Sequence, residues 1–378
     1  MVKKLFLSLA RSRCSLKRQR RQEKPQGWFA FDFLCVFASL RDPCFFLSLI
    51  LSLVAASVAR AEWVMPATPL PMEQLFKELS LVRGDHVVAG KWPRKISFSH
   101  RVYDYRHEIF NVEMKTVKII SPPLRIIPHA VGISEILWAI CPRHRLIMFN
   151  EVAADPRFSM IADEVVKNGR TFSYKESELV IAAQPDMVFT VAFSDAVFKQ
   201  RLRQAGIPTL DLGSQDSLES IIEEIKVLGQ VLGESGNAEA LLDIITKKRA
   251  LLQAALPLRK KSLRLLYYDL GGYIPGIASN FTSLCELIGV VNVGAEQGIK
   301  SWKQIDHETL LKWDPEVIVV PLESNLGQSF KADPLLRHAR AVKDGRVLPI
   351  PGLYLRINSQ FLLLGANLLA GIVYPDEY

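Results

Sequence analysis

Two glutamates at matching places carry the most suggestive chemistry in this sequence. Glu178 stands seven residues before Pro185 and Glu308 seven before Pro315; an acidic residue follows each proline, and an unbroken apolar run comes next. An acid in the first turn of a helix gains roughly 0.3–1 kcal/mol from the helix dipole. That accounts for one such residue; the same position in two copies suggests an external role for both. His129 could ligate a metal or a haem iron through its imidazole, and Tyr174 a haem iron through its phenolate. Phe172, Tyr174, Phe193, Tyr273, Trp302 and Tyr354 are aromatic residues in expected loops, with Arg170 and Arg356 beside them. Rings can cover a flat ligand, and guanidinium groups can meet carboxylate, catecholate or citrate oxygens.

The elements that must position these residues follow from the same repeat. Proline disfavours helical geometry just before it, so each copy reads as a short helix running into a strand. A strand that is apolar throughout is buried on both faces, as in a parallel sheet covered by helices. The expected fold class is therefore α/β: two Rossmann-like lobes with central parallel sheets, joined by a long α-helical connector. The boundaries expected are 1–61 for a targeting segment, 62–121 for an N-terminal extension with a hairpin, 122–215 for the first lobe, 216–256 for the connector and 257–378 for the second lobe. The hairpin is expected to pair Ile109–Val112 with Thr116–Ile120, and the connector to break only around Gly233–Gly236. Ligands of open parallel sheets bind beyond the carboxyl ends of the strands. The loops expected there are 129–134, 150–151, 169–174, 193–194, 270–280, 323–328 and 352–356.

The formal charge of +8 does not point to nucleic acid. Residues 1–61 hold 11 of the 47 Lys/Arg and 3 of the 39 Asp/Glu, so the remainder carries 36 of each. A neutral body removes the net-charge argument for polyanion binding. Arg41, the apolar run Phe45–Val58 and Ala59-Arg60-Ala61 have the charged, apolar and small-residue order of a secretory signal, with cleavage expected near Ala61 and a periplasmic destination. The run is shorter than the roughly 20 residues a membrane span needs. Cys141 and Cys285, the two cysteines beyond this segment, are expected to be buried thiols and not a bridge.

Thr116-Val-Lys-Ile-Ile-Ser-Pro-Pro-Leu-Arg-Ile-Ile127 leading into Ser134-Glu135, both glutamate-to-proline motifs, Ala205-Gly206-Ile207-Pro208, the helical connector and Trp302 stand in a telling order. From Lys115 to the C-terminus the chain resembles the substrate-binding proteins of ATP-driven importers for iron-siderophores, haem and cobalamin. The resemblance implies two lobes that close only slightly on a ligand held between them. It implies ligand contacts from His129, Arg170, Phe172, Tyr174, Phe193, Tyr273, Trp302, Tyr354 and Arg356. It further implies that Glu178 and Glu308 dock onto arginines of a membrane permease, one from each lobe. A monomer without cofactor, catalytic residues or nucleic-acid partner is expected.

An enzyme is the competing class. No G-x-G-x-x-G turn follows a strand, no G-x-x-x-x-G-K-[ST] loop occurs, and neither H-E-x-x-H nor a Cys-rich zinc spacing is present. A tetrapyrrole metal chelatase using His129 and Glu151 is the remaining enzyme reading. A binder of bare zinc or manganese would need converging His and carboxylate ligands, whereas the seven histidines are scattered.

Overall fold

The computed structural model describes residues 63–80, 91–104, 106–258 and 261–377, so the targeting segment expected over 1–61 lies outside it. Helix α1 (Met72–Leu79) and a hairpin of β1 (Arg94–Asp104) and β2 (Ile109–Ile119) come first. The first lobe follows with β3 (Ile126–Pro128), α2 (Val131–Ile140), β4 (Phe149–Asn150), α3 (Ala162–Asn168), β5 (Thr171–Phe172), α4 (Ser177–Ala182), β6 (Met187–Thr190), α5 (Ala196–Gln204) and β7 (Thr209–Asp211). Helices α6 (Leu218–Leu232) and α7 (Ser235–Ala255) lead to the second lobe. That lobe holds β8 (Arg264–Tyr267), β9 (Tyr273–Ile274), α8 (Asn280–Leu287), β10 (Val291–Asn292), α9 (Val293–Glu296), β11 (Lys303–Gln304) and α10 (His307–Trp313). It continues with β12 (Val317–Pro321), α11 (Leu326–Ala332), α12 (Arg340–Lys343), β13 (Val347–Ile350), α13 (Gly352–Leu355) and α14 (Leu362–Val373).

Each lobe has a parallel sheet, in the order β3-β6-β7 in the first and β10-β8-β12-β13 in the second. The central strands β6 and β12, the apolar runs of the repeat, are buried along their whole length.

The repeat extends to backbone and side-chain detail. Gln184 and Asp314, each just before its proline, take left-handed conformations with φ of 48° and 46°. The acid after each proline then clamps the start of its lobe's first strand. Asp186 accepts from the amides of Leu124 and Arg125 at 2.7 and 2.9 Å, and Glu316 from that of Arg264 at 2.9 Å. Arg125 in turn donates to the carbonyls of Ala183 and Gln184, and Arg264 to those of Trp313 and Asp314. Both arginines thus satisfy the carbonyls left open where a helix ends.

The connector breaks where glycine allows it: α6 ends at Gly233 with φ 77°, and α7 turns back to pack on it. Ser217 and Ser220 close a capping box at its start. The hairpin corrects an expectation. Ile109–Ile119 is a single strand whose partner is Arg94–Asp104, and a turn at 106–108 precedes it, where Asp104 accepts from the amides of Arg106 and His107. The alternation that pins the register lies in β1, where Ile96, Phe98 and His100 face inward.

The lobes meet along the first turn of α2. A Cβ on Gly132 would come within 2.3 Å of the Asn358 carbonyl, so only glycine permits this approach. Buried Glu135 accepts from Ser359 Oγ and from the Met160 amide, while Gln360 Nε2 donates to the Glu135 carbonyl at 2.9 Å. Residues 66–80 pack on the second lobe: Leu70 and Asn367 exchange two hydrogen bonds, and Phe76 stacks on Phe361 at 5.3 Å. Cys141 and Cys285 are free and buried, and burial pushes the Cys141 thiol up to about 12.

Candidate functional site

A cleft of about 430 Å³ opens between the lobes beyond the carboxyl ends of their strands. The first lobe supplies Ala192 and Phe193 after β6 and Ser214, Gln215 and Asp216 after β7. The second supplies Ala278–Phe281 at the head of α8, Ser301-Trp302, and Leu355, Arg356 and Asn358 after β13. The hairpin adds Val102 and Tyr103, which close one side. Its position is fixed by the Ser214 amide donating to the Arg101 carbonyl at 2.7 Å and by His100 Nε2 against Asp211 at 3.1 Å.

Phe193 and Trp302 are 58% and 41% exposed, a large share for aromatic side chains in a hollow, and so offer flat apolar surface. Trp302 is steadied edge-on by Tyr267 at 5.7 Å. The Tyr267 hydroxyl donates to Asp269 at 2.7 Å, and Arg356 Nη2 donates to the two oxygens of that carboxylate at 2.9 and 2.8 Å. Opposite, Arg101 lies 3.7 Å over the Phe110 ring and 3.7 Å from the Asp216 carboxylate. Burial raises the Asp216 carboxyl above its ordinary range, and Arg101 offsets this only in part.

Of the nine residues expected at the ligand, the cleft brings together Phe193, Trp302 and Arg356. His129 is a correction: it is fully buried, with Nδ1 2.9 Å from Ser194 Oγ and Nε2 3.3 Å from the Tyr174 carbonyl. Burial lowers its pKa to about 4, so the ring is neutral and holds the β3, β5 and β6 loops together. With both nitrogens engaged, it has none open for a metal or for the chelatase role. Phe172 is also a correction, since it packs in the first lobe's core with Val180, Val188 and Phe198. Tyr174 stands edge-on to His129 at 4.5 Å. Arg170, Tyr174, Tyr273 and Tyr354 are not among the cleft's lining residues. Arg356 lines it, but its charge is already matched by Asp269. Sequence reasoning missed Tyr103, Asp216 and Asn358. The loop after β7 was discoverable by strand position alone, whereas the hairpin's reach was not.

A larger hollow of about 670 Å³ lies wholly on the second lobe, around Tyr268, Asp306, Glu308, Phe330, Asp333 and Leu335. Its wall belongs to one lobe, and Glu308 is among the residues that line it. Both repeat glutamates are exposed in the first turn of their helices, α4 and α10. Glu178 meets Arg201 at 2.7 Å. Its carboxyl is held below the ordinary range chiefly by a backbone hydrogen bond at the helix start, with Arg201 adding to this. Among the described residues no three His, Cys, Asp or Glu side chains converge to hold a metal ion.

The geometry agrees with what comparison finds. A cobalamin-binding protein from Halobacterium salinarum is 22% identical over 237 residues, covering 61% of this chain and 64% of that one. A substrate-binding lipoprotein of ABC-transporter type from Bacillus subtilis, itself uncharacterized, is 26% identical over 216 residues, covering 53% and 66%. The match thus spans about two thirds of these relatives or slightly less. The apo structure of a periplasmic haem-binding protein from Roseiflexus superposes with a TM-score of 0.58 at 19% identity, over 67% of this chain and 99% of that one, a likeness of fold. The periplasmic binding protein family matches residues 150–353, more than half of the sequence and the part that builds most of the cleft, and the chain belongs to that family.

Proposed function

We propose that the protein is an exported receptor that binds a chelated metal, whether a ferric siderophore, a corrinoid or haem, and hands it to the membrane permease of an ATP-driven importer. The observation that carries this reading is the cleft between two parallel-sheet lobes, with Phe193 and Trp302 exposed inside it. Relatives named for cobalamin and haem support the ligand class. The protein acts by binding and release, without turnover, in keeping with its match to a family of binding proteins. Glu178 and Glu308 meet permease arginines, and the hollow beside Glu308 receives side chains of the same partner. The mature protein begins near Glu62, in the periplasm.

Protein purified from its own host, from the exported fraction, should start near Glu62 and carry the absorbance of one bound chelate. Calorimetry should give one ligand per protein for haemin, cyanocobalamin or a ferric siderophore. Binding of none of them, with metal insertion into free porphyrin instead, would favour the chelatase. In reconstituted uptake, Glu178→Ala/Glu308→Ala should abolish transport while leaving affinity and folding nearly unchanged. Truncating one partner of a buried interfacial charge pair costs about 2–5 kcal/mol, whereas loss of the helix-dipole contribution alone costs roughly 0.3–1 kcal/mol. Normal uptake by the double variant would leave the two glutamates as helix-start residues only.

A further inference from the structure

The hairpin gives the cleft a third wall beside the two lobes. Near the end of β1, Val102 and Tyr103 leave opposite faces of the strand, yet both line the cleft and both are partly exposed, so the hairpin meets the cleft end-on. The hairpin lies outside the stretch 150–353 that matches the family, so nothing in that match accounts for this wall.

The wall is seated on the first lobe at β7 and the loop after it. His100 Nε2 lies 3.1 Å from Asp211, and the Ser214 amide donates to the Arg101 carbonyl at 2.7 Å. Between them Gly213 has φ 88°, and a Cβ there would come within 2.6 Å of that same carbonyl. Both facts demand glycine. From the loop a line of contacts then runs to Tyr103. Arg101 lies 3.7 Å from the Asp216 carboxylate and 3.7 Å over the Phe110 ring, and Phe110 meets Tyr103 edge to face at 5.1 Å. A ring held from behind in this way loses little freedom when a ligand packs on it, which favours its use as a contact.

Resting on the receptor reading above, we propose that Tyr103 is a ligand-contacting residue that slows release from the cleft, and that Gly213 positions it by letting the hairpin seat against the loop after β7. The Tyr103 ring offers flat apolar surface of the same kind as Phe193 and Trp302, suited to the rim of a planar chelate. Variants of one interface differ mostly in dissociation, so the ring's share shows in the off-rate.

The probe is whichever of haemin, cyanocobalamin and ferric tris-catecholate the wild type binds, with release followed by stopped-flow absorbance. Tyr103→Ala should release it roughly tenfold faster, and Tyr103→Phe at about the wild-type rate. Gly213→Ala, a position that does not line the cleft, should also speed release. In the Tyr103→Ala background its effect should vanish, because the glycine acts through the ring; a merely structural effect would persist there. An unchanged off-rate in Tyr103→Ala overturns the proposal, whatever its urea midpoint, and so does a Tyr103→Phe variant as fast as the alanine one. Additive effects of the two substitutions overturn the positioning role of Gly213. Should Gly213→Ala fail to fold, the two Tyr103 variants decide the ligand contact by themselves. All these outcomes leave the receptor reading standing, since the wild type still binds its probe. Binding of none of the three by the wild type removes that reading and the third wall's role together.

Discussion

Glu234→Ala should destabilise the fold by about 3–5 kcal/mol, the cost of leaving a buried arginine without its counter-charge. Arg145 and Glu234 are almost wholly buried and meet at 2.8 Å. Arg145 also donates through Nε to the Pro123 carbonyl at 2.8 Å and through Nη2 to Leu232 at 3.0 Å. Glu234 is held in addition by Asn237 Nδ2 at 3.1 Å. Pro123 leads into β3, and Leu232 and Glu234 flank the break between α6 and α7, so one guanidinium ties the first lobe to the bend of the connector. A double variant, Arg145→Met/Glu234→Leu, removes both charges and should recover much of the loss. The Pro123 and Leu232 carbonyls would still lose their donor, which leaves a deficit of roughly 1–3 kcal/mol. Urea unfolding of both variants checks this. A single variant within about 1 kcal/mol of wild type would mean that water reaches Arg145, contrary to its burial.

This pair was not visible in the sequence, because no local signal marks Arg145, and Glu234 lies inside the glycine-punctuated break expected around Gly233–Gly236. The repeat was legible for the opposite reason. Proline, the acid after it and the apolar run are local signals, and each does local work: Pro185 and Pro315 stop a helix, while Asp186 and Glu316 clamp the strand beside it. The connector's break at Gly233 was equally local, a left-handed position that glycine fills without strain. The hairpin misled because β2 carries apolar residues at both of its ends, which imitates two short strands, whereas its true partner is β1.

The cleft was half legible. Strand ends located its loops, but no sequence pattern says which way a loop side chain turns. His129 and Phe172 follow or end strands, as Phe193 nearly does, yet the first two turn into the core and the third faces the cleft. Rings and cations stand out in a sequence as contacts for an anionic macrocycle. Asp216 is a small acidic residue in the polar loop after β7 that no sequence signal marks as part of the cleft, whereas Asn280 closes the expected loop 270–280.

Glu224→Gln should stabilise the protein increasingly as pH rises from about 5 to 8, reaching on the order of 3 kcal/mol above pH 8. Glu224 is buried on α6 beneath the loop after β7, where burial lifts its carboxyl to about 8 against the opposing hydrogen bond from Gln215. Glu135, between the lobes, is lifted to about 7 by burial, partly offset by Ser359, the Met160 amide and Ser159. A carboxyl with a raised folded pKa keeps its proton in the native state at pH values where the unfolded chain has released it. Its contribution is level below the unfolded value near 4.5, falls as pH rises, and is level again above the folded value. Wild-type stability should therefore decline between about pH 5 and 8, with the Glu135 share spent by about 7 and the Glu224 share by about 8. Glutamine at 224 can still accept from Gln215. Glu224 Oε1 has no partner to lose, so the added amide is no worse placed than the acid's own proton. Urea midpoints at several pH values separate the two glutamates: Glu224→Gln should flatten the curve between 7 and 8 and leave the part below 7 partly sloped by Glu135. Parallel curves for variant and wild type would show that Glu224 is ionised in the folded state.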